Sequence, residues 1–287
     1  MNTPTEETTL HSFDGLALHA VRWRTDAPKA AVLIVHGIGE HCGRYDHVAR
    51  HLAEHGYTAY SLDYRGHGKS EGARANVGTF DLPAEDVKTC YDWLRAEEGD
   101  LPVYILGHSQ GTLVTLLFVL TYPEAVDGVI LSATMLGLAH MSAPMVLLAN
   151  TLNAVAPRWK IIPLDVSTIS RDPAVLRTAA ADPLSNHERL TPHIIHEMIY
   201  ESRRVIQRLP ALTAPILIMH GTGDRLVPPS GSQLVYDTVG SADKTLHWYD
   251  GLYHEICNEP EQGQVLADIT AWLDQHRNNT ARIGQTS

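Results

Sequence analysis

Short, continuous apolar runs alternate with helical patterns along this chain, and this alternation constrains the fold more than any other feature. The runs span residues 30–37, 58–64, 102–107, 127–132 and 215–221. A run of this kind is typical of a strand that is buried on both faces of a sheet. The helical patterns between the runs supply the crossovers that parallel strands need. The sequence therefore predicts an α/β protein with a mostly parallel, doubly wound sheet.

Further elements complete the predicted sheet and its covering helices. Residues 7–12 and 15–23 are predicted to pair as antiparallel strands, because apolar and polar residues alternate in the second of them. A last strand is predicted at 244–249. Helices are predicted at 44–55, 83–98, 110–121, 174–181, 192–208, 230–238 and 261–276.

The alternation stops near residue 134 and resumes only at 215–221. The intervening residues contain helical patterns and several prolines, but no run typical of a buried strand. An excursion of about 70 residues is too long for a plain loop, and such excursions are usually functional. We therefore predict an α/β core of residues 1–133 and 210–287, with a helical cap, residues 134–209, inserted over one end of the sheet.

Charge excludes several kinds of partner. The 287 residues include 22 Lys and Arg and 33 Asp and Glu, which gives a formal charge of −11. A chain this acidic lacks the clustered cations that nucleic acids require, so no nucleic-acid partner is predicted. Docking on anionic lipid through a basic patch is disfavoured for the same reason, whereas apolar contact with a membrane stays open.

The cysteines and the start of the chain bear on its location. Cys42, Cys90 and Cys257 are odd in number and far apart, so they form neither a disulfide framework nor a Cys-x-x-Cys metal site. The first residues are polar and acidic, without the apolar region of a secretory signal. These features predict a cytoplasmic protein without a metal site. Peripheral contact with a membrane is compatible with this prediction.

The segment Gly107-His108-Ser109-Gln110-Gly111 matches G-x-S-x-G between a predicted strand and a predicted helix. In this context the pattern predicts a nucleophile elbow, a sharp turn that lifts the serine hydroxyl out of the sheet edge. The turn needs small residues two positions before and after the serine. We therefore predict that Ser109 is a nucleophile; the alternative is a tight glycine turn with an inert serine.

A serine nucleophile needs a base, and the base needs an orienting acid. In folds with this elbow the acid and then the histidine follow the serine along the chain. Asp224 follows the run at 215–221, and His254 follows the strand predicted at 244–249. Loops beyond the carboxyl ends of strands are where open α/β sheets bind ligands. We predict a Ser109, His254 and Asp224 triad, the alternative being a turn aspartate and an ordinary loop histidine.

The loop after the first parallel strand supplies one oxyanion donor in this type of fold. The strand ends at His36 and Gly37, so we assign the two donors to the backbone N–H groups of Ile38 and Gln110. The Gly37-x-Gly39 pair lacks the third glycine and the acidic residue of a dinucleotide-binding fingerprint. No dinucleotide cofactor is therefore predicted.

Longer segments extend these motifs. They span residues 36–52, 62–72, 107–111, 220–232 and 251–261. Together they resemble the monoacylglycerol lipase and lysophospholipase group of serine α/β-hydrolases, including bacterial monoglyceride lipases. The resemblance covers nearly the whole chain, and the stretch H-G-x-G-E-H-x-x-R-Y from His36 to Tyr45 is its most specific part.

The resemblance implies an α/β-hydrolase fold with a cap, an acyl-chain tunnel, a small polar pocket for glycerol, and no cofactor or metal. It implies hydrolysis of a small lipid ester, a monoacylglycerol, through an acyl-enzyme intermediate. The alternative is a carboxylesterase or lysophospholipase that acts on short-chain esters or lysophospholipids. Relatives of the fold that attack other electrophiles use an aspartate nucleophile, so Ser109 argues against those activities.

The resemblance also suggests substrate-binding residues. Glu40 and Arg44 match the group's motif, and they either organise the oxyanion loop, contact the leaving alcohol, or form an internal ion pair that holds the loop. Cys257 stands where some members have a histidine near the alcohol pocket, and Gln110 stands where many have methionine. Both departures concern glycerol specificity more than hydrolysis.

Residues 135–155 contain a dense apolar face within the predicted cap. This face either leans on lipid and opens the tunnel or packs on the core. We predict Leu136, Met145 and Leu148 as contacts for the acyl chain.

Overall fold

Eight strands form one sheet within the residues that the structure, a computed structural model, describes: 5–74, 76–161, 163 and 165–283. The strands are β1 (Thr5–His11), β2 (Ala17–Trp23), β3 (Ala30–Val35), β4 (Tyr57–Leu62), β5 (Val103–His108), β6 (Gly128–Ser132), β7 (Ile216–Gly221) and β8 (Lys244–Tyr249). Their order across the sheet is β1-β2-β4-β3-β5-β6-β7-β8. The β1–β2 and β2–β4 pairs are antiparallel and the others parallel, which confirms the predicted fold class. The ends of the predicted core, residues 1–4 and 284–287, lie outside the described residues.

Helices cover both faces of this sheet. They are α1 (Asp46–Glu54), α2 (Asp81–Glu98), α3 (Gln110–Thr121), α4 (Ala143–Val155), α5 (Pro173–Ala181), α6 (Pro192–Arg208), α7 (Ser230–Thr238) and α8 (Gln262–Ile283). Side chains alternate along β3, so Leu33 packs with α2 and α3, whereas Val32 and Ile34 pack with α1 and α8 on the other face. This two-sided packing is the doubly wound arrangement predicted from the sequence.

Burial explains why the strands could be recognised. Every residue of β3, β4, β5, β6 and β7 is buried, so each position tolerates an apolar side chain. Strand β8 lies at the edge of the sheet, and most of its residues are partly or fully exposed. It therefore lacks a continuous apolar run.

The segment between β6 and β7 contains α4, α5 and α6. Helix α6 packs against α3, and its residues Ile194, Met198 and Val205 join the core on that face. In α4 only Ala149 is buried, although the helix is rich in apolar residues. None of the helices in the described ranges is long and apolar enough to cross a membrane.

Candidate active site

The carboxyl ends of four parallel strands bring the predicted site residues together. Ser109 follows β5, Asp224 follows β7 and His254 follows β8, while Ile38 lies just beyond β3. Because these strands run in the same direction, the loops that follow them meet at one edge of the sheet. Ile38, Ser109 and His254 line one cavity at this edge.

The turn around Ser109 is tight and strained. Ser109 has φ = 53°, in the left-handed region that non-glycine residues avoid. A Cβ on Gly107 would lie 2.8 Å from the carbonyl oxygen of Gly111, and a Cβ on Gly111 would lie 2.4 Å from the carbonyl oxygens of Val35 and His36. The turn therefore has no room for a side chain at either glycine, as the G-x-S-x-G pattern predicts.

Ser109, His254 and Asp224 form a continuous hydrogen-bonded line. Ser109 Oγ lies 2.9 Å from His254 Nε2, and His254 Nδ1 lies 2.8 Å from Asp224 Oδ2. All three side chains are buried, so water competes weakly for these bonds. In such an arrangement the imidazole can remove the serine proton while the carboxylate holds the ring and stabilises its charged form.

Electrostatics favours this division of roles. Burial opposes protonation of His254, but the hydrogen bond and charge of Asp224 outweigh it and raise the pKa of His254. Burial also opposes ionisation of Asp224, but hydrogen bonds from His220 and His254 outweigh it and hold the pKa of Asp224 well below its usual value. Asp224 is therefore a stable anion beside a base with an enhanced proton affinity.

His220 is a site residue that the sequence analysis missed. Its Nε2 lies 3.0 Å from Asp224 Oδ2, and its Nδ1 lies 2.7 Å from Ser232 Oγ. It thus fixes the same carboxylate oxygen that faces His254. Its position at the carboxyl end of β7, four residues before Asp224, was the signal that could have found it.

The assigned oxyanion donors are the backbone N–H groups of Ile38 and Gln110. Ile38 lines the cavity, and Gln110 begins α3, so its N–H has no acceptor within the helix. The Gln110 side chain turns away from the cavity and is fully buried, with its Oε1 2.8 Å from the Tyr64 hydroxyl. The Gln110 amide therefore contacts Tyr64 in the protein interior and does not line the cavity.

A cavity of about 260 Å³ opens in front of Ser109. Its wall is mainly apolar, with Met135, Leu138, Leu190, Ile195, Met198 and Val227 among its side chains. Glu40 and Arg44 also line it, together with Glu255. The cavity can thus hold an apolar chain beside a charged cluster.

Four predicted substrate contacts lie elsewhere. Leu136 is fully buried in the core, and its neighbour Met135 lines the cavity instead. Met145 and Leu148 lie on the exposed side of α4, with 54% and 58% of their surfaces accessible. Cys257 is buried in a separate small space, beside Tyr45 and His108. The structure therefore does not bring these four side chains to the main cavity.

Glu40, Arg44 and Glu255 form a largely buried cluster. Arg44 Nη2 donates to Glu255 Oε2 at 2.5 Å, and Arg44 Nε lies 3.7 Å from Glu40 Oε1. Arg44 thus lies within ion-pair distance of both carboxyl groups. Burial and the charge of Glu40 raise the pKa of Glu255 far above that of an ordinary glutamate, although Arg44 opposes the shift. Glu255 was missed, although it directly follows His254 in the sequence.

One group of potential metal ligands occurs in the described residues, away from the cavity. It consists of His19, Cys42 and Asp63, whose ligating atoms lie within 4.8 Å of one another. Asp63 already accepts hydrogen bonds from the backbone N–H groups of Cys42 and Lys69. Burial and the nearby Asp63 raise the pKa of the Cys42 thiol, which keeps it protonated. The group is explained as a hydrogen-bonded link between loops.

The fold and the arrangement of Ser109, His254 and Asp224 are those of serine hydrolases with the α/β-hydrolase fold. A model of the family described as "Serine aminopeptidase, S33" matches residues 26–261, and the chain belongs to this family of hydrolases.

Comparison with individual proteins makes the family assignment more specific. The chain is 39% identical to a monoacylglycerol lipase of Mycolicibacterium smegmatis over 93% of its length and 97% of the relative. It is 34% identical to the monoglyceride lipase of Homo sapiens, with 96% and 91% of the two chains covered. The crystal structure of a Paleococcus ferrophilus monoacylglycerol lipase matches with a TM-score of 0.79 and 29% identity, over 90% of this chain and 99% of that one. These likenesses support carboxylic ester hydrolysis.

Proposed function

We propose that the protein hydrolyses monoacylglycerols to fatty acid and glycerol through an acyl-enzyme intermediate on Ser109. The observation that carries this proposal is the hydrogen-bonded line from Ser109 through His254 to Asp224, which opens onto a mainly apolar cavity. The likeness to monoacylglycerol lipases over nearly the whole chain supports the choice of substrate.

The proposed reaction has two acyl-transfer steps. His254 Nε2 removes the Ser109 proton as Oγ attacks the ester carbonyl, and the N–H groups of Ile38 and Gln110 hold the oxyanion. His254 then gives the proton to the leaving glycerol oxygen, and the C–O bond breaks. Water repeats the sequence on the acyl-enzyme and releases the fatty acid. Asp224 keeps the correct tautomer of His254 throughout.

We further propose that residues 134–209 form a cap that encloses the acyl chain, with residues 1–133 and 210–287 as the catalytic core. Met135, Leu138, Ile195 and Met198, all within the proposed cap, contribute apolar wall to the cavity. Glu40 and Arg44 lie on the core side of the same cavity, where the leaving alcohol would meet polar groups. This arrangement fits one acyl chain with a small uncharged alcohol.

A substrate panel tests the proposal. It contains monoacylglycerols with C8 to C18 chains, lysophosphatidylcholine, a triacylglycerol and short p-nitrophenyl esters. We expect monoacylglycerols to give the highest kcat/KM and the triacylglycerol to be refused, because a cavity of about 260 Å³ is too small for three acyl chains. Fast cleavage of short esters with little monoacylglycerol turnover would instead favour a general carboxylesterase. Preference for lysophosphatidylcholine would favour a lysophospholipase.

We also propose peripheral contact of α4 with an uncharged lipid surface. Leu147 and Leu148 are 67% and 58% exposed, and Val155 and Trp159 extend the same apolar segment. The overall charge of −11 favours zwitterionic over anionic lipid. We expect the protein to float with phosphatidylcholine vesicles, and the Leu147→Ser, Leu148→Ser double variant to lose this binding. Phe13→Ser, at an exposed turn outside the proposed cap, is the control; equal loss in both variants would contradict the proposal.

A further inference from the structure

Two buried carboxyl groups share one guanidinium beside Ser109. The Arg44 side chain contacts both Glu255 and Glu40, and all three side chains are close to nine-tenths buried or more. Nearby His108 adds no charge at neutral pH, because burial lowers its pKa to about 4. A single cation balances only one carboxylate, and a second buried negative charge would be costly. We therefore expect one of the two carboxyl groups to hold a proton, because the single guanidinium faces both of them.

The contacts indicate which carboxyl group holds the proton. Glu40 Oε2 accepts from the backbone N–H of Gly37 at 2.9 Å and from the Tyr45 hydroxyl at 2.8 Å, so Glu40 is suited to be the anion. Glu255 Oε2 accepts from Arg44 and from Asn258 Nδ2 at 2.8 Å. The other Glu255 oxygen can then carry the proton and donate a hydrogen bond to Glu40.

The same contacts connect this proton to the oxyanion loop. Glu40 holds the N–H of Gly37, the residue directly before Ile38, and a Cβ on Gly37 would lie only 3.1 Å from both Glu40 Oε2 and the Ser109 Cβ. Any movement of the Glu40 carboxylate is therefore transmitted to the proposed oxyanion donor. Glu255 directly follows His254 in the sequence. The cluster is therefore connected both to the oxyanion loop and to the proposed base.

We propose that Glu40 and Glu255 share one proton which keeps the oxyanion loop in its catalytic position, so that loss of this proton lowers the rate of hydrolysis at alkaline pH. Deprotonation leaves two facing carboxylates with one guanidinium between them. Their repulsion pulls Glu40 from Gly37, and the added negative charge opposes formation of the oxyanion. Glu255 is thus a positioning residue. This inference rests on the proposed function, because it is measured as ester hydrolysis.

Other titratable groups face the pair and must be distinguished from it. They are Arg44 and Tyr45 before α1, His108 at the end of β5, His254 and Cys257 in the loop after β8, and Asp165, Asp182 and His187 in the segment between β6 and β7. Burial raises the pKa of Cys257 to about 12, and that of Tyr45 well above its usual value. His108 loses its charge on the acid side, and loss of the proton from His254 makes it a base, which raises the rate instead of lowering it. Glu255 is therefore the group suited to an alkaline loss of activity.

The Glu255→Gln variant tests the inference. The amide can donate to Glu40 and accept from Arg44 as the protonated carboxyl does, but it cannot lose the proton. We expect kcat/KM within about threefold of wild type at neutral pH, and an acid limb that is unchanged because Glu255 is neutral there in both proteins. Wild type should lose activity on the alkaline side, approaching tenfold per pH unit, and the variant should not.

The design separates this inference from the proposed function. Rates are measured from about pH 6 to about pH 10.5 on monooctanoylglycerol and on a short ester, with spontaneous hydrolysis subtracted. If the protein hydrolyses the short ester but not monooctanoylglycerol, the proposed substrate is wrong, but the pH profile can still be measured on the short ester.

Glu201→Gln is the matched control, because it changes a different buried glutamate, which lies on α6. This variant should keep the wild-type pH profile. Glu40→Gln leaves Glu255 as the single carboxyl group beside Arg44, so no proton needs to be shared, and this variant serves if Glu255→Gln does not fold. A wild-type profile without an alkaline limb, or the same limb in Glu255→Gln, would overturn the inference.

Discussion

Replacement of Ser109 with alanine is expected to reduce ester hydrolysis by about 10⁴- to 10⁶-fold while leaving the protein folded. The variant keeps the cavity and the backbone N–H groups of Ile38 and Gln110, but it lacks the oxygen from which His254 would take a proton. Hydrolysis of the preferred monoacylglycerol, followed as released fatty acid, measures the loss. A fluorophosphonate probe should label the wild-type protein at Ser109 and leave the variant unlabelled.

Backbone strain at the same residue provides an independent readout. Alanine keeps the unfavourable φ of 53° at position 109, whereas glycine relieves it. Ser109→Gly should therefore be equally inactive but more resistant to unfolding in urea than Ser109→Ala, by about 1 kcal/mol. Ser61→Ala is the control, because Ser61 is also a buried serine, but it lies in β4 and its hydroxyl donates to the carbonyl oxygen of Ile34. Activity near the wild-type level in Ser109→Ala would refute the proposed nucleophile.

The sheet was predictable from sequence because burial acts on consecutive residues. In β3 through β7 both faces are covered, so local composition reports tertiary position directly. Strand ends were equally informative: once the direction of the strands was inferred, Ser109, Asp224 and His254 had to fall at one edge of the sheet. Their hydrogen-bonding geometry follows from the fold rather than from any local pattern.

The cavity wall was less predictable because it depends on turn geometry. Ala133, directly after β6, has φ = 53°, and the chain turns sharply there. Met135 consequently faces the cavity while Leu136 enters the core, and no property of two adjacent apolar residues distinguishes these outcomes in advance. Helix α4 illustrates the same limit, since its apolar residues predicted either lipid or core contact and most of them are exposed.

The charged cluster depends on contacts that are remote in sequence. Arg44 and Glu255 are 211 positions apart, and their ion pair exists only because the loops after β3 and β8 meet at the sheet edge. The motif around Glu40 and Arg44 indicated that these residues matter to the loop. It could not indicate that the carboxyl group of Glu255 also contacts the Arg44 guanidinium. This second contact changes the expected pH dependence of the site.

Asp224→Asn is expected to reduce kcat by about 10⁴-fold with little change in the fold. Asp224 Oδ1 accepts from the backbone N–H groups of Leu226 and Val227 at 2.8 and 3.0 Å. In the variant these donors select the amide oxygen, so the NH₂ group is forced toward His254 Nδ1. His254 Nδ1 then accepts a hydrogen bond from this NH₂ group and the ring carries its hydrogen on Nε2, so Nε2 cannot remove the proton of Ser109.

The pH profile separates this tautomer effect from a general loss of structure. In wild type the raised pKa of His254 places the acid limb above the ordinary histidine value of about 6.5, and activity is lost as pH falls through it. Without the carboxylate, burial dominates and the residual activity of Asp224→Asn should persist to lower pH. Asp250→Asn, which changes an exposed aspartate bonded to Thr222, should keep both the rate and the limb of wild type. A loss below tenfold in Asp224→Asn, or an unmoved acid limb, would show that another group orients His254, and His220, which shares the same carboxylate oxygen, would be the next residue to replace.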